Sequence, residues 1–452
     1  MQRLLALSFL STSIFLLGAA AAQNLPDPPG SLVTTLNSKP GPFTEPSVAI
    51  NPHDPNQMVT AFQNNAQIAY SRDGGRHWKA ATGTAPKNYR VAGDVSVVYD
   101  NRGHAYLCYI AFDKLGTFNY WAHNGGRNGI FIRRSLDGGA TWEKDHIPVS
   151  EQAARQDIPW EDKPYIVADT TSSRYAGNLY IGWTRWTLTD SRIVFARSTD
   201  GGATWSQPIE IDRHRGYPRD DNGALEGFSA AMTSDGAVHA VWSDGDGILL
   251  TTSRDGGRTF SRPKMVQKTA SSMFAVDAVE RANGFPVIAA AGDKLYLGWT
   301  DYRNGDLDVF CSSSHDKGRR WSEPVRVTND PVHNGAEQFF PWMAADPSTG
   351  AVYFAFYDRR FDPQNRKQIF VLARSTDGGK TFTNYAWTHD AFDASGVFFG
   401  DYTGLAASAG RVLGAWMEKP PKQKGPKQGT IVRAGIADFT SPPPTAGPGT
   451  SR

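Results

Sequence analysis

The sequence predicts an all-β chain closed into a seven-bladed β-propeller of four-stranded antiparallel blades. Three observations predict it. An eight-residue pattern recurs six times: SRDGGRHW from Ser71, SLDGGATW from Ser135, STDGGATW from Ser198, SRDGGRTF from Ser253, SHDKGRRW from Ser314 and STDGGKTF from Ser375. Near-copies at near-even spacing mark a repeat architecture. Apolar strand signals frame each copy in the number that one propeller blade needs. Pairs of such signals then number seven, one more than the copies.

Taken in chain order, the N-terminus comes first. Arg3 precedes an apolar run from Leu4 to Leu17, and small residues from Gly18 to Ala22 follow. That is the pattern of a secretory signal over residues 1–22, with a cut near Ala22. The run is short for a membrane span and no second one follows, so a secreted or periplasmic product with no membrane span is expected. Residues 23–439 read as a single propeller domain. Residues 440–452 are rich in Pro, Gly, Ser and Thr and read as a disordered tail.

The third repeat shows the blade in full. Tyr165–Ala168, Leu179–Trp183 and Ile193–Ala196 are three strand signals, the repeated turn follows, and Trp205–Ile211 is the fourth. Counted by their first two strands, blades begin near Pro46, Asp94, Lys163, Gly227, Phe285, Phe340 and Tyr402. The seventh has Tyr402–Ala407, Val412–Met417 and Thr430–Ala437 and then no fourth strand. An unclaimed signal at Leu32–Asn37 can supply it, closing the ring and removing its edges. A six-bladed ring is the alternative.

Composition excludes several classes. A net charge of +2 with no basic block argues against a nucleic-acid partner. Cys108 and Cys311 fall in different blades, so two free buried thiols are expected. There is no H-E-x-x-H, Cys/His cluster or phosphate loop, so no metal and no cofactor are expected. The chain reads as a monomer.

Chemistry is expected on one rim. In an antiparallel blade the start of the first strand and the end of the second share a rim. That rim carries the long loops, Asp113–Asn128, Pro148–Glu161, Asp212–Leu225, Thr328–Gln338, Tyr357–Lys367 and Asp390–Gly400. Glu45, Asp94, Asp162, Lys163, Glu226 and Asp401 stand at starts of inner strands. Arg185, Asp301-Tyr302-Arg303 and Tyr357-Asp358-Arg359-Arg360 stand at ends of second strands. Asp–Arg networks that only tie blades together are the alternative for these groups. Asp73, Asp137, Asp200, Asp255, Asp316 and Asp377 of the repeated turns are assigned to structure, because a short carboxylate accepts from turn amides.

These turns resemble the Asp box, or BNR repeat, of the sialidase superfamily, and the resemblance runs from about Pro42 to Phe439. It implies a carbohydrate-active propeller, here an exo-sialidase-like hydrolase of a carboxylate-bearing glycan or polysaccharide. The family holds that sugar with three arginines, attacks with a Tyr–Glu pair and uses an Asp as acid/base, an exception among glycosidases. By resemblance Asp94, Glu226 and Tyr402 take the catalytic roles. Arg303 and Arg359 clamp the carboxylate, with Glu45, Tyr302, Tyr357 and Asp358 as further substrate contacts. The family's first arginine, in a Phe/Tyr-Arg-Ile-Pro motif, is missing from Phe43-Thr44-Glu45-Pro46. Arg185 is the candidate replacement. A binding propeller without catalysis stays open, as does a polysaccharide lyase using His123, His146, His214 or His333.

Overall fold

The structure, a computed structural model, describes residues 25–37, 39–81, 86–153, 155, 157–270, 273–421 and 428–440. The signal expected over residues 1–22, and all but the first residue of the tail expected over 440–452, lie outside them.

Seven four-stranded antiparallel sheets follow one another along the chain. Blade 1 holds Ser47–Ile50, Met58–Phe62, Gln67–Ser71 and Lys79–Ala81. Blade 2 holds Val91–Tyr99, Ala105–Phe112, Asn128–Ser135 and Ile147–Gln152. Blade 3 holds Trp160–Ala168, Leu179–Trp186, Ser191–Ser198 and Ile209–Glu210. Blade 4 holds Leu225–Met232, Val238–Asp244, Gly247–Ser253 and Lys264–Lys268. Blade 5 holds Val287–Ala291, Lys294–Asp301, Asp308–Ser314 and Val325–Arg326. Blade 6 holds Gln338–Ala345, Val352–Asp358, Lys367–Ser375 and Thr383–Ala386. Blade 7 holds Gly404–Ser408, Arg411–Glu418 and Ile431–Asp438, and its outer strand is Leu32–Thr35 from the other end of the chain. Leu32 pairs with Ile436 and Thr35 with Arg433. First strands of successive blades touch around the ring, the seventh against the first. The six-bladed alternative is thereby set aside. Among the described residues no helix is long and apolar enough to cross a membrane.

The core lies between blades. Second strands deliver a fully buried tryptophan in four of them, Trp183, Trp242, Trp299 and Trp416, each packed against side chains of its own and neighbouring sheets. Cys108 and Cys311 are buried and free. The expected fourth strand at Trp205–Ile211 contracts to Ile209–Glu210, because Pro208 has no N–H to give the ladder.

The repeated turn has one geometry throughout. In blade 3 the Ser198 hydroxyl donates to Asp200 Oδ1 (2.8 Å) and accepts from the Gly202 N–H (2.9 Å). Asp200 then accepts from the Thr204 N–H (3.0 Å) and hydroxyl (2.6 Å). The glycines are required by both backbone and space. Gly138 and Gly139 take φ of 74° and 96°, and a Cβ on Gly139 would stand 2.2 Å from Val59 Cγ2 of the preceding blade.

Inner strands share a second device. In blades 2, 3, 4 and 6 the pairing shifts between Gly93 and Ser96, Asp162 and Tyr165, Glu226 and Ser229, and Phe339 and Trp342. Each shift contains a residue of positive φ: Asp94 (44°), Lys163 (49°), Gly227 (76°) and Phe340 (51°). Glu45 (54°) does the same ahead of blade 1. Pro46, Pro164 and Pro341 follow three of them, where the bulge leaves no partner for an N–H. Serines just beyond stitch blades together: Ser47, Ser96 and Ser229 accept from the N–H groups of Val97, Ile166 and Ile288 in the next inner strands. A bulge re-aims its side chain, and here the side chains of Glu45, Asp94 and Lys163 meet at one end of the ring.

Candidate functional site

At that end the chain surrounds a cavity of about 140 Å³. Glu45, Asp94, Glu226 and Tyr402 line it, as do Asp162, Lys163 and Asp401. Its outer wall comes from long loops of the same rim, with Leu115 and Trp121 from one and Phe398 from another, beside Phe112 and Trp160.

The acids stand in pairs. Asp94 and Asp162 share a side-chain hydrogen bond that favours the ionised form of Asp94 and the protonated form of Asp162. Burial, then the neighbouring Glu45 charge, raises Asp94 to about 6. Burial and the Asp94 charge push Asp162 well above the usual carboxylate range, and its Oδ2 accepts from the Trp186 indole (2.9 Å). Asp220, brought by the loop ahead of blade 4, pairs in the same way with Glu226. Burial lifts Asp220 to about 6, while burial and the Asp220 charge hold Glu226 well above its ordinary value. Glu45 is raised to about 8 by burial and by Asp401; its Oε1 accepts from the Asp401 N–H (3.1 Å).

Two cations meet these groups. Arg281 donates from Nε to Asp401 Oδ1 (2.8 Å) and from its two Nη atoms to Asp401 and Asp220. Lys163 Nζ sits 4.3 Å from the centroid of the Tyr402 ring and 4.6 Å from that of Phe285. It is buried without a hydrogen-bond partner among the described residues. The Tyr402 hydroxyl donates to the Val95 carbonyl (3.4 Å). Burial, followed by the charges of Glu45, Asp94, Asp401 and Asp162, pushes its phenol well above the ordinary value.

The structure leaves the other expected contacts outside the cavity. Arg185 lies on the fully buried Glu161 (2.6 Å) within blade 3. Arg303 lies on Asp301 (2.6 Å), its guanidinium 4.6 Å from the Phe310 ring centroid. Arg359 is fully buried and donates to the carbonyls of Asn365 (2.7 Å) and Asp277 (2.8 Å). Asp358 takes Arg360 (2.7 Å). Tyr302 donates to the Ala275 carbonyl (3.1 Å), and Tyr357 to that of Met417 (2.9 Å) in the core. These pairs tie strand ends together, the alternative that the sequence left open for them. His123, His146, His214 and His333 do not line the cavity either.

Sequence reasoning missed Asp220 and Arg281; the arginine comes from the stretch between blades 4 and 5. It precedes Ala282–Asn283, which pairs with Met273–Phe274 as a small ribbon between blades 4 and 5. The signal was the length of that inter-blade stretch, from Lys268 to Val287, and the charges at Asp277, Glu280 and Arg281 inside it.

No family model matches the chain. A sialidase of Bacteroides fragilis (strain YCH46) is 26% identical over 215 residues, which is 43% of this chain and 37% of that protein. The match thus spans little more than a third of the relative's length. Among solved structures, the phage phi92 endosialidase superposes with a TM-score of 0.53 at 10% identity, over 93% of this chain and 71% of that one. A Hadza microbial sialidase superposes with a TM-score of 0.48 at 16% identity, over 85% and 73%. At such identities the likeness to the endosialidase speaks for fold. With six repeated turns on seven closed blades, this chain is a sialidase-like β-propeller.

Proposed function

We propose that the funnel hydrolyses a glycosidic bond, taking one terminal ring of a glycan. One observation carries the reading. Two carboxyl groups, Glu226 and Asp94, line a single aromatic-walled cavity, where burial raises Glu226 well above its ordinary value and Asp94 to about 6. Groups whose surroundings push their proton affinities apart are the equipment of acid–base catalysis. The volume is below the roughly 300–1,000 Å³ of sites for drug-sized ligands, which favours a single ring over an internal stretch of chain. The sialidase-like fold supports a carbohydrate as the substrate class.

Glu226, kept protonated, gives its proton to the leaving oxygen as the glycosidic C–O bond breaks. Asp94, ionised above about pH 6, takes a proton from the water whose oxygen bonds to the anomeric carbon. Asp162 steadies the Asp94 carboxylate through their shared hydrogen bond. Tyr402 forms the wall. The four carboxyl groups that oppose its ionisation weigh against a phenolate nucleophile, the role the family resemblance suggests for it.

The test is a screen of the purified protein against α-sialosides, uronate polysaccharides and neutral glycans, scoring reducing ends and unsaturated products. New reducing ends alone support hydrolysis. Unsaturated products mean a lyase, and binding without turnover means a binding propeller. On the substrate found, Glu226→Gln and Asp94→Asn should each lower kcat by roughly 10²–10⁴-fold, whereas Tyr402→Phe should keep it within about tenfold. Abolished turnover with intact binding in Tyr402→Phe would return the nucleophile to the phenol. In the parent, kcat/KM should rise with pH through about 6, as Asp94 gives up its proton; a profile flat from pH 5 to 7 would remove Asp94 as the base.

A further inference from the structure

We infer that the funnel selects an uncharged glycosyl ring and turns away carboxylate-bearing sugars, because Asp401 already fills the fork of Arg281. This deepens the reading of the funnel as a glycan site and rests on it.

A guanidinium recognises a carboxylate by two parallel N–H···O bonds from one edge. Arg281 spends that edge on Asp401, through Nε (2.8 Å) and Nη2, and spends Nη1 on Asp220. The Asp401 backbone is held on both sides. Its N–H donates to Glu45 Oε1 (3.1 Å), and its carbonyl accepts from Asn283 Nδ2 (3.0 Å). A protein carboxylate thus stands where a substrate carboxylate would have to bind.

The second cation is held against aromatic rings and presents no fork. Lys163 Nζ is wedged between the rings of Tyr402 and Phe285, on the face of a cavity that Glu45, Asp94, Asp162, Glu226 and Asp401 also line. An added anion would face the Asp94 and Asp401 carboxylates, and like charges brought together at a binding site cost several kcal/mol. An uncharged ring meets complementary groups instead. Protonated carboxyls donate to hydroxyl oxygens, ionised ones accept from hydroxyl protons, and Trp121, Trp160 and Phe398 offer apolar faces.

The experiment uses matched probes on the whole purified protein at pH 7. Methyl glucoside is compared with methyl glucuronide, methyl galactoside with methyl galacturonide, and methyl α-sialoside is included; binding is read by ligand-observed NMR. In at least one pair the neutral member should bind tighter by about tenfold or more. Asp401→Asn, which keeps the shape but releases the Arg281 fork, should narrow or reverse that ratio. Equal or tighter binding of an acidic member by the parent overturns the inference, as does an unchanged ratio in Asp401→Asn. Should Asp401→Asn fail to fold, the parent pairs decide alone. Neutral binding with no turnover of any glycan sinks the hydrolase reading and leaves this inference standing. Acidic binding with turnover does the reverse, and no binding by any probe sinks both.

Discussion

At the scale of single residues, the funnel is a place where folding works against ionisation. Glu45, Asp94, Asp162 and Glu226 were legible as candidates because each stands at the start of an inner strand. What could not be read was which acids would pair, since pairing depends on how loops fold over the rim. Asp220 and Arg281 come from such loops, outside the repeat frame, and together they change the charge logic of the site. The arginines at the ends of second strands failed to reach the cavity for a local reason: Arg185 and Arg303 each have an acid one or two residues away in space that captures them first. The raised acids carry a stability consequence. Glu45 moves from 4.5 to about 8 and Asp94 from 3.8 to about 6. The folded chain therefore holds protons that the unfolded chain has already released. Stability from these groups is present at low pH and declines as pH rises through that window, by up to about 1.4 kcal/mol per unit for each group. Glu45→Gln keeps the amide-sized side chain and removes one of the titrations. Its melting temperature should change less between pH 5 and pH 8 than that of the parent. Parallel curves for the two proteins would show that Glu45 is already ionised in the fold at pH 5.

At the scale of elements, the repeated turn was the most legible feature of the chain, because its chemistry is local. Six copies carry their own donors and acceptors within a few residues, so no distant contact was needed to read them. The bulges of the inner strands are the opposite case. Nothing in Gly93-Asp94-Val95-Ser96 alone announces a positive φ at Asp94, and only the register against the second strand reveals it. Within the turn the two polar residues differ in burial. Ser198 is buried and its oxygen is the acceptor for the buried Gly202 N–H, whereas Asp200 is exposed and water can replace it. Ser198→Ala should therefore cost about 1–3 kcal/mol through an unsatisfied buried N–H. Asp200→Ala should cost less, roughly 1 kcal/mol, from the same class of bond with water as a substitute. Denaturant unfolding of both variants checks the order. A costlier Asp200→Ala would mean that the carboxylate, not the hydroxyl, organises the turn.

At the scale of the whole molecule, ring closure joins the two ends of the described chain. It was legible by arithmetic, seven pairs of inner strands against six turns, which left one blade a strand short and one strand signal spare. The sequence reading ran that strand to Asn37; regular pairing ends at Thr35, but the contact goes on, since the Leu36 N–H donates to the Val432 carbonyl (2.9 Å) and Asn37 Oδ1 accepts from the Val432 N–H (2.6 Å). The strand also lends apolar cover, with Val33 against one core cluster and Leu36 against another. Its loss leaves Ile431–Asp438 as an open edge whose backbone groups have no partner on one side. Deleting residues 31–39 should cost on the order of 3–6 kcal/mol, from a few net hydrogen bonds and two partly buried side chains. The melting temperature should fall by at least about 5 °C, and the amides of Ile431–Asp438 should lose hydrogen-exchange protection before those of the other blades. A synthetic peptide of residues 29–40 added back should recover part of both losses, because the edge it fills is intact. A deleted protein that melts with the parent and keeps those amides protected would show that blade 7 is held by its neighbours and that its outer strand Leu32–Thr35 is dispensable.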